Sequence, residues 1–526
     1  MKGTSQRMIG CAAMLCVAAA CGSAKTSDGR NDGTSQENNG ENNGENNGTS
    51  GYDDPWNNGA ANNGLTSTNN STIPDGEPLQ EWVENDWVSA AEEPTSTFSI
   101  DVDNASYTLM RRDVQSGRLP EADSVRPEEY INYFDYGYPQ PPDDGPFSIN
   151  MEIVPSEFGT DLHMLRIGLQ GRELAVEDMK PTNLVFLIDV SGSMSSGDKL
   201  ALVKQSLNAL IDHLRPSDTI GIVTYAGNSG IVLQPTPVSD AQTIRDAIER
   251  LTSGGSTNGE AGIVDAYALA EQATIEGGNN RVIIATDGDF NVGRTGEALV
   301  QLIRDYRDKH ISLTCIGYGR GNYNDGTMEA LARDGNGNYF YIDTLAEAER
   351  IFGPDLPSTL EVIAADVKIQ IEFASDTVVR YRLVGYENRV LQNEDFEDDT
   401  VDAGEIGPGH TVTALYELEI DQSATSETGL LAEVRLRHKS QYGLDSELQT
   451  ESIKLSQIRD ALADATPGLR FAIAVAEFAE ILRGSKHTEG TRFTDVEAIA
   501  TAAAAGDPAK LEFVDLVQTA SGLWGN

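Results

Sequence analysis

Cysteine is nearly absent from this chain. Of four cysteines, Cys11, Cys16 and Cys21 sit at the very start, and Cys315 alone lies further on. Only Cys315 lies beyond that start, so no disulfide can form within the folded units, which have to be held by core packing. Cys315 stands inside the apolar run ISLTCIGYG, where a lone cysteine reads as a small buried hydrophobe rather than a nucleophile. Positive charge is scarce as well: 38 Lys and Arg face 83 Asp and Glu, a net charge of −45. That balance argues against a nucleic-acid surface and for a solvated, self-repelling exterior that helps recruit cations. Histidine is rare, and His163, His213, His310, His410, His438 and His487 fall in no metal or nucleophile motif. There is no G-x-S-x-G elbow, and TSGGSTNG lacks the lysine that a phosphate loop needs. Beyond Ala20 no hydrophobic run reaches the length of a membrane span.

What is present suffices for about three folded units. Lys2 and Arg7 precede an apolar run from Met8 to Ala20, too short to cross a bilayer, that ends VAAACGS. The segment 1–21 resembles a bacterial lipoprotein signal, which implies that Cys21 becomes the lipidated first residue of the mature protein. An ordinary cleaved signal with an incidental cysteine is the alternative. Residues 22–78 follow as an Asn/Gly-rich tract with ENNG repeated three times. It has too little apolar surface to bury and is expected to stay disordered. It reads as a tether with a mean reach of roughly 40 Å, or equally as a neutral spacer.

An N-terminal α+β module is expected over 79–145. STFSIDVDNASY alternates as a strand, ASYTLMRRDVQSG reads as a helix closed by Gly117, and RPEEYINYFDY as a second, aromatic-rich helix. Asp103 or Asn104 is expected to cap the first helix rather than join Asp101 in a metal site. Strands over 147–154 and 162–168 occupy the stretch 146–180.

The central domain is placed at 181–355. NLVFLIDVSGSM opens it with a strand apolar enough to be buried on both faces, as in a parallel sheet. A helix over 199–214, a strand over 219–226, a short edge strand IVLQ and a helix capped by Asp240 follow. A helix over 261–270, a strand over 281–286, a helix over 296–309 and a strand over 311–317 complete the alternation. That alternation predicts an α/β fold with a doubly wound, mainly parallel sheet. Residues 356–450 read as antiparallel β segments, with which the strands before Pro181 are candidates to pair. Their acidic loop 393–405 carries seven carboxylates and no basic residue and is expected to be mobile. Residues 451–526 read as helical, with RFAIAVAEFAEIL apolar nearly all round and hence buried.

The opening strand delivers Asp189 to its C-terminal end, where open α/β sheets bind ligands, and then breaks into Ser191, Gly192 and Ser193. Three oxygens at alternate positions of a tight loop suit a hard cation such as Mg²⁺. The pattern D-x-S-x-S is similar to the metal-ion-dependent adhesion site of von Willebrand factor type A domains. That resemblance calls for a threonine from a second loop, offered by Thr257 in GGSTNG, and an aspartate after a later strand, offered by Asp287 in RVIIATDGD. It implies that Ser191, Ser193 and Thr257 touch Mg²⁺ (or Mn²⁺ or Ca²⁺), while Asp189 and Asp287 hold it through waters. The open position would then take a carboxylate from a protein partner. Asp289 and Asn258 are candidates for the surrounding shell, or alternatively cap a helix or stabilise their loop, the preferred reading for Asn258.

TFSIDVDNASY, VRPEEYINYFDYGYP, YRLVGYENR, GHTVTALYE and LRFAIAVAEFAEIL extend the likeness along the chain. Together they resemble the YfbK-type bacterial von Willebrand A lipoproteins. That family does not imply a well-defined cellular role; the signal, the charge and the site together lead to the expectation of a cell-envelope lipoprotein, anchored in the membrane by lipid, that binds a protein and not nucleic acid, and is not an enzyme. A structural envelope protein whose metal only stabilises a loop, and a metal-dependent hydrolase, are the alternatives.

Overall fold

The eight residues Thr182–Asp189 form a strand in which every side chain is buried, as the unbroken apolar run Leu184–Ile188 requires of a strand covered on both faces. The computed structural model describes residues 83–525 apart from 101–102, 143–144, 160, 256–258, 289–295, 320–324, 354, 402, 422, 424–428, 441–444 and 489. Cys21, the Asn/Gly-rich tract, Thr257, Asn258 and Asp289 lie outside the described residues. No helix among the described residues is long and apolar enough to cross a membrane.

In chain order, β1 (Val88–Ser89), β2 (Thr95–Ser99), α1 (Ala105–Gln115) and α2 (Pro127–Ile131) precede the long strands β3 (Phe147–Pro155) and β4 (Leu162–Gly171). The central domain runs β5 (Thr182–Asp189), α3 (Leu200–His213), β6 (Thr219–Tyr225), β7 (Ser229–Pro237), α4 (Ala241–Glu249), α5 (Gly259–Gln272) and β8 (Asn279–Thr286). It continues with α6 (Gly296–Arg307), β9 (Ile311–Tyr318), α7 (Asp325–Asp334), β10 (Tyr339–Ile342) and α8 (Leu345–Phe352). After α9 (Leu356–Leu360) come β11 (Ala364–Phe373), β12 (Val378–Val384), β13 (Gly404–Ile406), β14 (Thr411–Ile420), β15 (Leu430–Lys439) and β16 (Ser446–Lys454). Helices α10 (Pro467–Arg483), α11 (Phe493–Ala503) and α12 (Pro508–Trp524) close the described chain.

The central sheet has the order β10-β9-β8-β5-β6-β7 and is parallel except for β7, an antiparallel edge strand that exposes Ile231. Helices cover both faces. Leu207, Leu210, Ile244 and Ile351 pack on one side, and Ile263, Tyr267, Ile303 and Leu331 on the other. This is the doubly wound α/β fold expected from the alternation. Strand β10 and helices α7 and α8 were not read from the sequence; the strand is only four residues long, too short to show a pattern of its own. Asp240 caps α4 as expected, accepting from the Thr243 N–H at 3.4 Å.

Two antiparallel sheets flank it, β1-β12-β14-β4-β3 and β13-β11-β15-β16, with β2 also pairing to β11. Strand β4 pairs with β14 from Leu162↔Glu419 to Gln170↔Thr411, so strands on either side of the central domain share one sheet. The N-terminal α+β stretch gives its strands away: β1 pairs with β12, and β2 with β11. The inner faces of the two sheets enclose Phe98, Ile167, Ile371, Tyr416 and Val434. The outer face of the first sheet packs Met164 and Leu415 against Phe471, Phe478 and Phe513 of the terminal helices. Helix α10 is buried from Gly468 to Leu482 except at Arg470, in keeping with its all-round apolar sequence.

Three expectations need correction. The aromatic-rich helix shrinks to the five residues of α2, beyond which Tyr133 stacks on Tyr107 and Phe134 meets the same ring edge-on. Strand β16 extends through Lys454, past the boundary set at 450; its mostly exposed, polar edge carries little hydrophobic alternation. The acidic loop is not free. Residues Asn393–Phe396 form a 3₁₀ turn with Phe396 buried, and Lys368 on β11 donates to the carbonyl of Asp395 at 2.9 Å. Arg437 on β15 pairs with Asp399 at 3.1 Å, and Lys439 donates to the Asp399 carbonyl at 2.7 Å. The loop carries no cation of its own, but the pairing of β11 with β15 brings three to it.

Candidate functional site

Strand β5 lies between β6 and β8, so the chain leaves it in one direction and returns on the other side. The carboxyl ends of strands at such a reversal form the crevice where α/β sheets bind ligands. Asp189 ends β5 at that point with no exposed surface. Its Oδ1 accepts the Ser191 N–H at 2.7 Å and its Oδ2 the Thr286 hydroxyl at 3.3 Å, Thr286 being the last residue of β8. Burial raises the Asp189 carboxyl above its ordinary range, opposed by the Ser191 N–H and reinforced by the nearby charge of Asp287.

The loop after Asp189 is pinned to its neighbours through backbone bonds. Val190 N–H donates to the Tyr225 carbonyl at 3.0 Å, Gly254 N–H to Val190 O at 2.7 Å, and Gly192 N–H to Gly255 O at 3.1 Å. Gly255 sits at φ +95°, a backbone that favours glycine. Within the 3₁₀ turn Gly192–Ser195 the chain turns back, and the hydroxyls of Ser191 and Ser193 meet at 2.8 Å.

Asp287 follows β8. Its Oδ2 accepts from the Lys199 ammonium at 2.8 Å, while its Oδ1 is buried with no hydrogen-bond partner among the described residues. A buried carboxylate oxygen left bare costs about 1–3 kcal/mol or more, which is a reason to expect a ligand there. Asp189, Ser191, Ser193 and Asp287 thus stand at the ends of two adjacent strands. The donor set, two carboxylates and two hydroxyls, is all oxygen and fits a hard divalent cation. Thr257, two residues after Gly255, lies outside the described residues.

Lys199 was missed in the sequence. Its place, directly before an apolar helix and at the close of the loop that carries the expected cation ligands, is the one local hint, and it does not show where the ammonium goes. Asp103 has another role than capping. Asn104 is the N-cap by position but makes no side-chain cap bond, and Asp103 instead accepts from the Tyr339 N–H at 2.9 Å and pairs with Arg389 at 3.3 Å. It ties β10 of the central domain to the flanking β region.

Known proteins bear on this geometry. Residues 183–354 match the von Willebrand factor type A domain family, 74–166 the family described as von Willebrand factor, and 358–523 the one described as uncharacterized protein YfbK, C-terminal. The uncharacterized protein YfbK of Escherichia coli (strain K12) is 37% identical over 470 residues, 84% of this chain and 81% of that one. The uncharacterized protein sll0103 of Synechocystis is 24% identical over 336 residues, covering 57% of this chain and 77% of its own. Among solved structures, a von Willebrand factor type A protein from Catenulispora acidiphila matches with a TM-score of 0.41 at 16% identity, covering 72% of this chain and 87% of that one. Domains of this type generally mediate protein–protein interaction rather than catalysis, and often bind a divalent metal. By the length and identity of the first of these matches, the chain belongs to the YfbK family of von Willebrand factor type A domain proteins.

Proposed function

We propose that the C-terminal edge of the central sheet holds a divalent cation, Mg²⁺ or alternatively Mn²⁺ or Ca²⁺, and through it captures a carboxylate of a protein partner. The observation that carries this reading is the buried, bare Oδ1 of Asp287 beside Asp189 and the paired hydroxyls of Ser191 and Ser193. Bound there, the metal supplies an electrophilic position for an anionic ligand. The chain's own groups do the rest. Asp189 is locked by Ser191 and Thr286, so its carboxylate is oriented before any ligand arrives. Ser191 and Ser193 are free to turn their hydroxyls from each other toward a cation. Thr257 is the fifth ligand expected from sequence. The partner is a protein, and the chain acts as a binding module of the bacterial envelope, held to the membrane through lipid on Cys21.

Capture of partners from envelope extract tests the reading. It should require Mg²⁺, vanish in EDTA and vanish with Asp189→Ala. Capture indifferent to both changes would leave the metal a structural role at most. In the same cells, Cys21→Ser should move the protein out of the membrane fraction, and unchanged fractionation would refute the anchor.

A further inference from the structure

The positive charge already at this site belongs to a side chain. Lys199 precedes α3, is 8% exposed, and directs its ammonium onto Asp287 at 2.8 Å. Its methylenes run over Gly319, just past the end of β9. A Cβ on Gly319 would come within 2.2 Å of Lys199 Cγ and 2.6 Å of Cε, and Gly319 holds φ +74°. The end of β9 is thus kept bare to seat one lysine stem, while the end of β8 supplies its counter-charge. A solvated surface lysine needs neither.

We propose that Lys199 is a built-in counter-cation of the metal site, which weakens divalent-ion binding on its own and couples it to arrival of the partner's carboxylate. The proposal rests on the metal-site reading above. Two buried aspartates and one ammonium leave a single net negative charge. A divalent ion turns that into a single net positive charge, which an incoming carboxylate cancels. Without Lys199 the loaded site would be neutral and would pull less on an anion. The same ammonium repels the metal when no anion is present. A unit charge within a few ångströms of a divalent ion shifts its affinity by about tenfold even at the dielectric of water, and by more in a buried site. The two effects are linked, because whatever the carboxylate gains from the metal, the metal gains from the carboxylate.

The test is calorimetric titration of the metal-stripped full chain with Mn²⁺, alone and with acetate as the carboxylate probe. Lys199→Met keeps the stem over Gly319 and removes the charge; Lys199→Arg keeps the charge. Lys199→Met should bind Mn²⁺ about tenfold or more tighter than the parent, and acetate should strengthen Mn²⁺ binding less than it does in the parent. Lys199→Arg should stay near the parent. If Lys199→Met folds only with metal, the Mn²⁺ concentration at its folding midpoint reports the same affinity. Equal or weaker Mn²⁺ binding by folded Lys199→Met, with the parent still binding and Asp189→Ala silent, overturns the counter-cation and leaves the metal centre standing. No Mn²⁺ binding by parent or Lys199→Met overturns both.

Discussion

Two of the clusters that bury carboxylates against cations among the described residues differ in how completely their oxygens are used. One is the loop edge of the central sheet, with Asp189, Asp287 and Lys199. The other is the junction where α1 and the segment after α2 meet α8. There Arg111 donates to both oxygens of Asp343, at 2.9 and 2.5 Å, and reaches Glu347 Oε2 at 2.8 Å. Tyr133 donates to that same Oε2 at 2.8 Å, and Arg350 takes Oε1 at 2.6 Å. Every oxygen of Asp343 and Glu347 is engaged. At the sheet edge Asp287 keeps one oxygen without a partner among the described residues, and the hydroxyls of Ser191 and Ser193 meet each other. A saturated network is a clamp: it orients the segments it joins and offers nothing to a ligand. An unsaturated one carries a standing cost that a ligand would relieve.

The comparison is most sharply broken at the clamp. Arg111→Met leaves three carboxylate oxygen contacts unmade in a buried setting and should cost about 3–5 kcal/mol of unfolding free energy, read by denaturant titration. A loss below about 1 kcal/mol would mean that the junction is not a clamp. A smaller effect, dependent on pH, is expected at Glu347. Burial raises this carboxyl, but Arg350 and Arg111 outweigh it and bring it down to about 2, from an ordinary 4.5. A depressed acid contributes stability that is present above its unfolded value and lost as pH falls through the folded one. Glu347→Gln should therefore lie on the order of 3 kcal/mol below the parent at neutral pH. The gap should close as pH falls from about 4.5 toward 2; a gap that stays constant over that window would refute the charge as its origin. The smallest effect belongs to the sheet edge. Ser193→Ala in EDTA should change stability by less than about 1 kcal/mol, since it removes one hydroxyl pair and no core. A larger loss in the metal-free melt would make the serine pair structural rather than a waiting ligand set.

Much of the fold could be read before any tertiary contact was known. The β5 run is apolar without interruption, and only a strand covered on both faces satisfies that. The 3.6-residue spacing of Val203, Leu207 and Leu210 places α3, and Asp240 marks the start of α4. Asp189, Ser191 and Ser193 are adjacent in sequence, so their convergence follows from one turn. Asp287 was recoverable because it ends an apolar strand. Lys199 was harder, since nothing local says that its stem crosses β9 and its ammonium meets Asp287, 88 positions away.

The sequence by itself determined the doubly wound sheet, the oxygen-rich loop at its edge and the buried terminal helix, because each rests on periodicity or on residues close along the chain. The tertiary structure alone decided where the remaining charges go. The acidic loop 393–405 looks self-repelling in isolation, yet Lys368, Arg437 and Lys439 reach it from β11 and β15. Asp103 looks like a helix cap, yet it binds Tyr339 and Arg389, each more than two hundred residues on. Burial makes an uncompensated charge expensive, so the fold has to supply a partner. Which partner it supplies depends on sheet pairing across the whole chain, and local sequence carries no record of that.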